Sequence, residues 1–170
     1  MNHRERAPEW LGTTGAHWRE ILKRTDDIRA LKDRGCAVEA LQVEHDAIEL
    51  ILDCLGGAVL CSASRAEVIE VLNASVDFCG THFRDEEDYM RGISYAYLDT
   101  HILAHKGLLA KFVAARRSAS GEGLPLATLD AVDLLYQFHE HVKTYDAAVY
   151  PSLLEKPLAY APAGHGELPG

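Results

Sequence analysis

Two side chains of the kind that bind metal ions lie one helical turn apart near the middle of the chain. His82 and Glu86 fall within the segment VDFCGTHFRDEEDYM, residues 76–90, whose apolar spacing predicts a helix. Residues four apart project from nearly the same helical face, so this imidazole and this carboxylate can meet at one point. A single such pair is more often a solvated surface contact. The pair gains meaning only if other helices supply matching groups.

Three other predicted helices supply such groups. His45 lies in one, His101 and His105 lie four apart in another, and His141 and Asp146 lie in the last. Burying five histidines and two carboxylates without a metal ion would cost several kcal/mol, so coordination is the better explanation. Imidazole suits zinc, copper, iron and nickel, and two carboxylates able to bridge indicate a pair of metal ions. Seven ligands also exceed the four of a closed zinc site.

The remaining histidines do not join this set. His3, His17 and His165 lie in terminal segments. His139 is about 200° around its helix from His141, so we expect it to point outward. Glu87, the second acid of its run, is expected to face solvent.

Apolar residues recur at helical spacing in five segments, and no stretch shows the sustained alternation of a strand. The predicted helices run over 16–34, 37–55, from Ser62 or Ser64 to about 91, 95–117 and 126–150. Gly56-Gly57 is expected to end the second helix, and Pro151 to weaken or end the fifth. The last four predict an all-α protein, an up-down-up-down four-helix bundle with an additional N-terminal amphipathic helix.

The chain divides into three predicted parts. Residues 1–36 form an N-terminal extension that contains the amphipathic helix, residues 37–156 form the bundle, and residues 157–170 form a flexible tail rich in Pro and Gly. The formal net charge of -9 argues against nucleic acid and anionic membranes as partners. No apolar run of about 18 residues and no secretory signal is found, so we expect a cytoplasmic protein with free cysteines.

The order of these residues resembles the hemerythrin family, the non-haem di-iron oxygen-binding bundles. The resemblance covers about residues 41–150 and rests on His45, on HFxxEE from His82, on HxxxH from His101 and on HxxxxD from His141. It implies two iron ions with an oxo or hydroxo bridge. It also implies reversible binding of O2, or of another small diatomic ligand, at an open position on one iron.

Carried over residue by residue, the resemblance implies that three histidines hold one iron ion, two hold the other, and both carboxylates bridge them. The first set is His101, His105 and His141, the second is His45 and His82, and the bridges are Glu86 and Asp146. The open position would belong to the second iron.

Reversible O2 binding requires an apolar pocket without water or proton donors. Ile48, Phe83, Phe138 and Val142 are suitable walls, although ordinary core packing explains them equally well. Gln137 stands where family members often carry a large aromatic residue. Its amide could hydrogen-bond a bound ligand or admit water.

The spacing of the last two ligands conflicts with a regular helix. Five residues separate His141 from Asp146, which is about 500° and leaves them about 140° apart. We therefore predict a distorted turn, such as a π-bulge, between them.

The leading functional prediction is a protein that carries, stores or supplies O2. One alternative is a di-iron enzyme acting on NO, peroxide or a small oxidisable substrate, with Gln137, Cys79 or Tyr145 supplying protons or electrons. Another is a sensor of oxygen, redox state or iron that signals through the N-terminal helix. A homo-oligomer or a protein partner at that helix also stays open. Enzyme activity is left undecided, and a binding protein is favoured.

Overall fold

The computed structural model describes residues 37–61, 63–121 and 128–155. Within these ranges the only secondary structure is helical, which confirms the predicted all-α class. None of the described helices is long and apolar enough to cross a membrane. The predicted N-terminal helix, the extension 1–36 and the tail 157–170 lie outside the described residues.

Four helices make up the described part of the chain, and the fourth is interrupted by a π-helical segment. The first three are α1, Ala37–Leu60, α2, Arg65–Gly92, and α3, Leu98–Ser120. The fourth consists of α4, Thr128–His141, the π segment, Val142–Asp146, and α5, Ala147–Glu155.

Two separate apolar clusters form the interior of the bundle within the described residues. The larger, here the main core, includes Ile51, Leu72, Phe112 and Phe138. The smaller, here the second core, includes Leu41, Met90, Val149 and Leu153, with Leu98 packed against it. Each helix contributes to both cores, so the cores stack along the bundle axis.

The order in which each helix meets the two cores fixes its direction. α1 passes from Leu41 in the second core to Ile51 in the main core, and α2 passes from Leu72 in the main core to Met90 in the second. α3 repeats the direction of α1, and the fourth helix repeats that of α2. Neighbours in sequence pack against each other, and α1 also packs against α4. The bundle is therefore up-down-up-down, as predicted.

Local signals set the two tight connections between the first three helices. Ser64 is the N-cap of α2 in a complete capping box, in which its side chain accepts from the Glu67 backbone and the Glu67 carboxylate accepts from the Ser64 backbone. Between α2 and α3, Ser94 has a φ of 55°, the left-handed region that reverses the chain. These short turns force adjacent helices to be antiparallel.

The predicted end of α1 is wrong. The helix continues through Gly56 and Gly57 to Leu60. Ala58 and Val59, which lie beyond the glycines, pack against the main core. Their burial offsets the helix cost of about 1 kcal/mol per glycine.

Pro151 is predicted to weaken or end its helix, and it does not end it. The helix continues through Pro151 to Glu155. Val149 and Leu153, on either side of the proline, are both buried in the second core. Packing of an apolar face thus holds the helix beyond a residue that costs about 3 kcal/mol in a helix interior.

We expect Ser64→Ala to lower the free energy of unfolding by about 1 kcal/mol, because it removes one half of the capping box. Denaturant unfolding followed by circular dichroism measures this change. Ser120→Ala is the matched control, since the Ser120 hydroxyl only donates to the Arg116 carbonyl near the exposed end of α3. Equal stability of the two variants would contradict the role of the cap.

Candidate metal centre

A layer of imidazole and carboxylate side chains lies between the two apolar cores. On each helix these residues lie near the boundary between the part that packs in the main core and the part that packs in the second core. All of them are buried, and we call them the polar layer: Glu44, His45, His82, Glu86, His101, His105, His141 and Asp146. It contains the seven residues predicted as ligands, together with Glu44.

Five of these side chains converge on one point, which we call the three-histidine group. Single ligand atoms from Glu86, His101, His105, His141 and Asp146 all lie within 4.8 Å of one another. His101 Nε2 is 3.0 Å from His105 Nε2, and His141 Nε2 is 3.0 Å from Asp146 Oδ1. The group could hold a metal ion.

Three side chains converge on a second point, here the two-histidine group. Ligand atoms of His45, His82 and Asp146 lie within 4.8 Å of one another. The two Nε2 atoms are 3.0 Å apart, and His45 Nε2 is 3.2 Å from Asp146 Oδ2. This division of the histidines matches the one that the resemblance implies.

Asp146 belongs to both groups through different oxygen atoms. Its Oδ1 faces His101 and His141, whereas its Oδ2 faces His45. This is the arrangement that a bridging carboxylate needs. Glu86 lies in the three-histidine group alone, with Oε2 at 3.2 Å from His105 Nε2 and 3.3 Å from His101 Nε2.

The π segment brings Asp146 onto the same side of its helix as His141. The backbone N–H of Ala147 donates to the carbonyl of Val142, five residues earlier, as the wider π turn requires. Without this turn the aspartate would point away from His141 by about 140°. The predicted distortion is confirmed.

Carboxylates outside the two groups orient two of the histidines. The Nδ1–H of His82 donates to Glu44 Oε2 at 3.0 Å, and the Nδ1–H of His105 donates to Glu87 Oε1 at 3.1 Å. An imidazole that donates through Nδ1 carries its lone pair on Nε2, the atom that faces the group. These contacts therefore favour the tautomer that binds metal.

The prediction that Glu87 faces solvent is wrong. Its side chain is only 15% exposed, and its second oxygen accepts from Arg91 at 3.1 Å. Glu87 lies four residues after Phe83 of the main core, so it shares the inward side of α2. Glu87 therefore faces inward and accepts a hydrogen bond from His105.

For His45, a tyrosine and not a carboxylate is the hydrogen-bond partner at Nδ1. The Tyr150 hydroxyl is 3.0 Å from His45 Nδ1. Burial, followed by the charges of Asp146 and Glu86, raises the pKa of Tyr150, so its hydroxyl stays protonated. It remains a neutral hydrogen-bond partner of His45.

The carboxylates of the layer are ionised in the metal-free chain. Burial raises the pKa of Glu86, but contacts with His101 and His105 outweigh burial and lower the pKa to about 2. The pKa of Asp146 is likewise held well below its ordinary value by His101, His141 and His45, against the effect of burial. Two ionised carboxylates whose oxygens lie within 4.8 Å of imidazole nitrogens form an environment that attracts a cation.

Several buried ligand atoms lack a hydrogen-bond partner among the described residues. They are both carboxylate oxygens of Glu86, both of Asp146, and His141 Nε2. Neighbouring ligand atoms lie 3.0 to 3.3 Å apart. Adjacent ligands on an octahedral metal at about 2.1 Å would be about 3.0 Å apart. A metal ion in each group would satisfy atoms that are otherwise costly to bury.

The predicted pocket walls take different positions. Ile48, Phe83 and Phe138 are buried in the main core, and Val142 is half-buried against it. The Phe83 ring stacks on His105 with centroids 4.1 Å apart, and the Phe138 ring lies 5.8 Å from that of His45. Apolar rings therefore contact ligands of both groups.

Gln137 does not join these walls. Its side-chain oxygen accepts from Lys111 at 2.6 Å, and its nitrogen approaches Asp133 at 3.4 Å, both at the exposed surface. The structure thus directs this amide to the surface. His139 also points outward as predicted, being 48% exposed and paired with Glu49.

Cys79 is fully buried in the main core. Burial raises the pKa of its thiol well above the ordinary value, so the thiol stays neutral. Cys79 therefore fills space in the main core.

Comparisons with known proteins add no further support. No protein-family model matches the chain, and no curated protein and no solved structure matches it. The metal-binding interpretation therefore depends on the geometry of the polar layer.

Sequence reasoning missed Glu44 and Tyr150 as partners of the histidines. Glu44 carries a signal that could have revealed it. It stands in a stripe of buried residues spaced three and four apart, Leu41, Glu44, Ile48, Ile51 and Leu55, where it alone is charged. Tyr150 follows Asp146 by four residues, one turn along the same helix.

We expect His82→Ala to bind about one metal ion per chain instead of about two, because it removes one of two histidines from the smaller group only. Metal analysis after dialysis measures the content, and circular dichroism checks that the bundle is retained. His139→Ala is the control, since His139 is exposed and outside both groups. Loss of all metal from folded His82→Ala protein would contradict the separation into two groups.

Metal binding should release a proton from His101. Burial lowers its pKa, but Asp146 and Glu86 outweigh burial and raise the pKa to about 9, so the metal-free imidazole is charged at pH 7. A metal ion must displace that proton, and affinity should therefore rise about tenfold per pH unit between pH 7 and 8. Calorimetric titration with cobalt(II) in buffers of different ionisation enthalpy measures the release. An affinity independent of pH would contradict it.

Proposed function

We propose that the chain is a hemerythrin-like protein that holds two iron ions in the polar layer and binds O2 reversibly at one of them. The observation that carries the proposal is the unequal division of the histidines. Three serve one group and two serve the other, and Asp146 offers a separate oxygen to each. The group with fewer protein ligands leaves room for an external ligand.

The ligand types are compatible with iron. Imidazole together with carboxylate oxygen suits iron, whereas soft thiolate ligands are missing from both groups of the described chain. When bound, a pair of ferrous ions supplies the two electrons that O2 takes up and recovers them when O2 leaves. The protein residues then have to orient the ligands and exclude water.

Aromatic rings exclude water from the two-histidine group. The rings of Phe83 and His82 have centroids 5.6 Å apart, and Phe138 and His45 have centroids 5.8 Å apart, so both histidines of the two-histidine group contact a phenylalanine. Neither ring offers a proton. An apolar lining slows the entry of water and protons that would convert a reversible carrier into an inert ferric form.

The side chains that favoured an enzyme are placed away from this lining. Gln137 bonds to Lys111 at the surface, and Cys79 is a neutral thiol in the main core. Tyr145 stacks on His141 with ring centroids 5.2 Å apart, beside the three-histidine group. Two apolar rings contact the two-histidine group, and the Tyr150 hydroxyl lies at the outer nitrogen of His45, Nδ1, and not at the Nε2 that faces the group, which supports carriage over catalysis.

Mixing the ferrous protein with O2 while the visible spectrum is recorded tests the proposal. We expect a stable oxygenated band that disappears under argon and returns with O2, since the lining withholds protons. Rapid conversion to a ferric spectrum with release of peroxide would overturn O2 carriage.

A pair of variants tests the lining itself in the same experiment. Phe83→Tyr adds a hydroxyl to a ring that contacts His82 and His105, so the oxygenated band should decay about tenfold faster. Phe78→Tyr is the control, because Phe78 is buried in the main core on the same helix. Equal decay in the two variants would argue against proton exclusion by Phe83.

A further inference from the structure

A surface cleft opens beside the three-histidine group. Its volume is about 300 Å³, and we call it the tyrosine cleft. The residues that line it are Tyr95, Tyr97, Thr100, His101, Thr144, Tyr145 and Ala148. A cleft of this volume is at the lower end of the range for small-molecule sites and has room for one aromatic ring.

His101 differs from three other histidines of the layer. His45, His82 and His105 each have a hydrogen-bond partner at Nδ1. His101 directs Nε2 at Glu86 and Asp146, and no described residue hydrogen-bonds to its Nδ1. His101 lines the cleft, and its Nδ1 is not among the buried side-chain atoms that lack a partner, so Nδ1 is the ring nitrogen open to the cleft. Nδ1 then carries a proton that can be donated.

The walls of the cleft are aromatic and its rim is polar. The rings of Tyr95 and Tyr97 meet edge to face with centroids 5.9 Å apart. Tyr145 meets His101 edge to face with ring centroids 5.9 Å apart and is the third tyrosine of the cleft lining. Thr100 and Thr144 add hydroxyls at the exposed rim. Such walls favour a planar ring with a polar substituent.

Charge selects against anions at this place. Glu86 lies behind His101, with its Oε2 3.3 Å from His101 Nε2, and the chain carries a formal net charge of -9. Glu86 and Asp146 both face His101 Nε2, so two negative charges outweigh the single positive charge of a protonated His101. A carboxylate ligand would be repelled by this field, whereas a neutral hydroxyl would not. A cationic head group has no lone pair to accept from His101 Nδ1–H, so neutral aromatic alcohols are a class that matches the walls, the field and the donor.

We propose that the tyrosine cleft binds a small neutral phenol, with its ring against the tyrosines and its oxygen accepting from His101 Nδ1–H. The bound oxygen would give His101 the outer partner that Glu44 gives His82 and Glu87 gives His105. This site lies on the side of the three-histidine group, so it is separate from the two-histidine group proposed to bind O2. It rests on the cleft and on His101, whatever metal ion the layer holds.

Titration of the full chain with phenol itself, followed by calorimetry and by the side-chain nitrogen resonances of metal-free protein, tests the site. We expect saturable binding that shifts the His101 Nδ1 resonance. Cyclohexanol, which has the hydroxyl but no aromatic ring, should bind at least about tenfold more weakly. No saturable binding of phenol, or equal binding of cyclohexanol, would overturn the proposal.

Two neighbouring alanines supply matched variants. Ala148→Phe should fill the cleft and weaken phenol binding about tenfold or more, whereas Ala147→Phe, at an exposed position outside the cleft, should leave it unchanged. Equal affinities in the two variants would place the phenol elsewhere and contradict the site. Phenol binding should persist in His82→Ala, which separates failure of this proposal from failure of the O2 proposal.

Discussion

Burial of ionised carboxylates between two apolar cores is the constraint on which this bundle depends. The polar layer interrupts the buried apolar face of each of the four described helices. Its carboxylates Glu86 and Asp146 have pKa values held below their ordinary range. Such a layer is costly unless each charge is paired. Nitrogen ligands supply part of the pairing in the metal-free chain. Two metal ions would complete it, so metal binding and stability of the bundle are coupled.

The rest of the architecture follows from holding this layer in place. The antiparallel order of the helices lets each one cross the layer between its two apolar stretches. The π segment adds the turn that aligns Asp146 with His141, and π turns are a common device at functional sites. Outer partners such as Glu44 then fix which nitrogen of a histidine faces inward. Each feature serves the same ligand geometry.

The convergence of the seven predicted side chains could be expected because helical periodicity is a local rule. His101 and His105 must share a face wherever their helix packs, and the angle from His141 to Asp146 already required a distortion. The outer partners could not be predicted in the same way, because Glu44 reaches His82 only after α1 and α2 pack together. Tertiary packing also explains why the helix end predicted at Gly56-Gly57 is wrong and why the last helix continues through Pro151. Packing of the residues that follow the glycines and the proline against the two cores outweighed the low helix propensity of glycine and proline.

The most direct measurement is native mass spectrometry of the metal-free chain titrated with ferrous iron without oxygen. We expect the mass to increase in steps that stop at about two iron ions per chain, since the layer offers two groups of ligands that share Asp146. Saturation at one ion, or no retained iron, would contradict a two-metal layer.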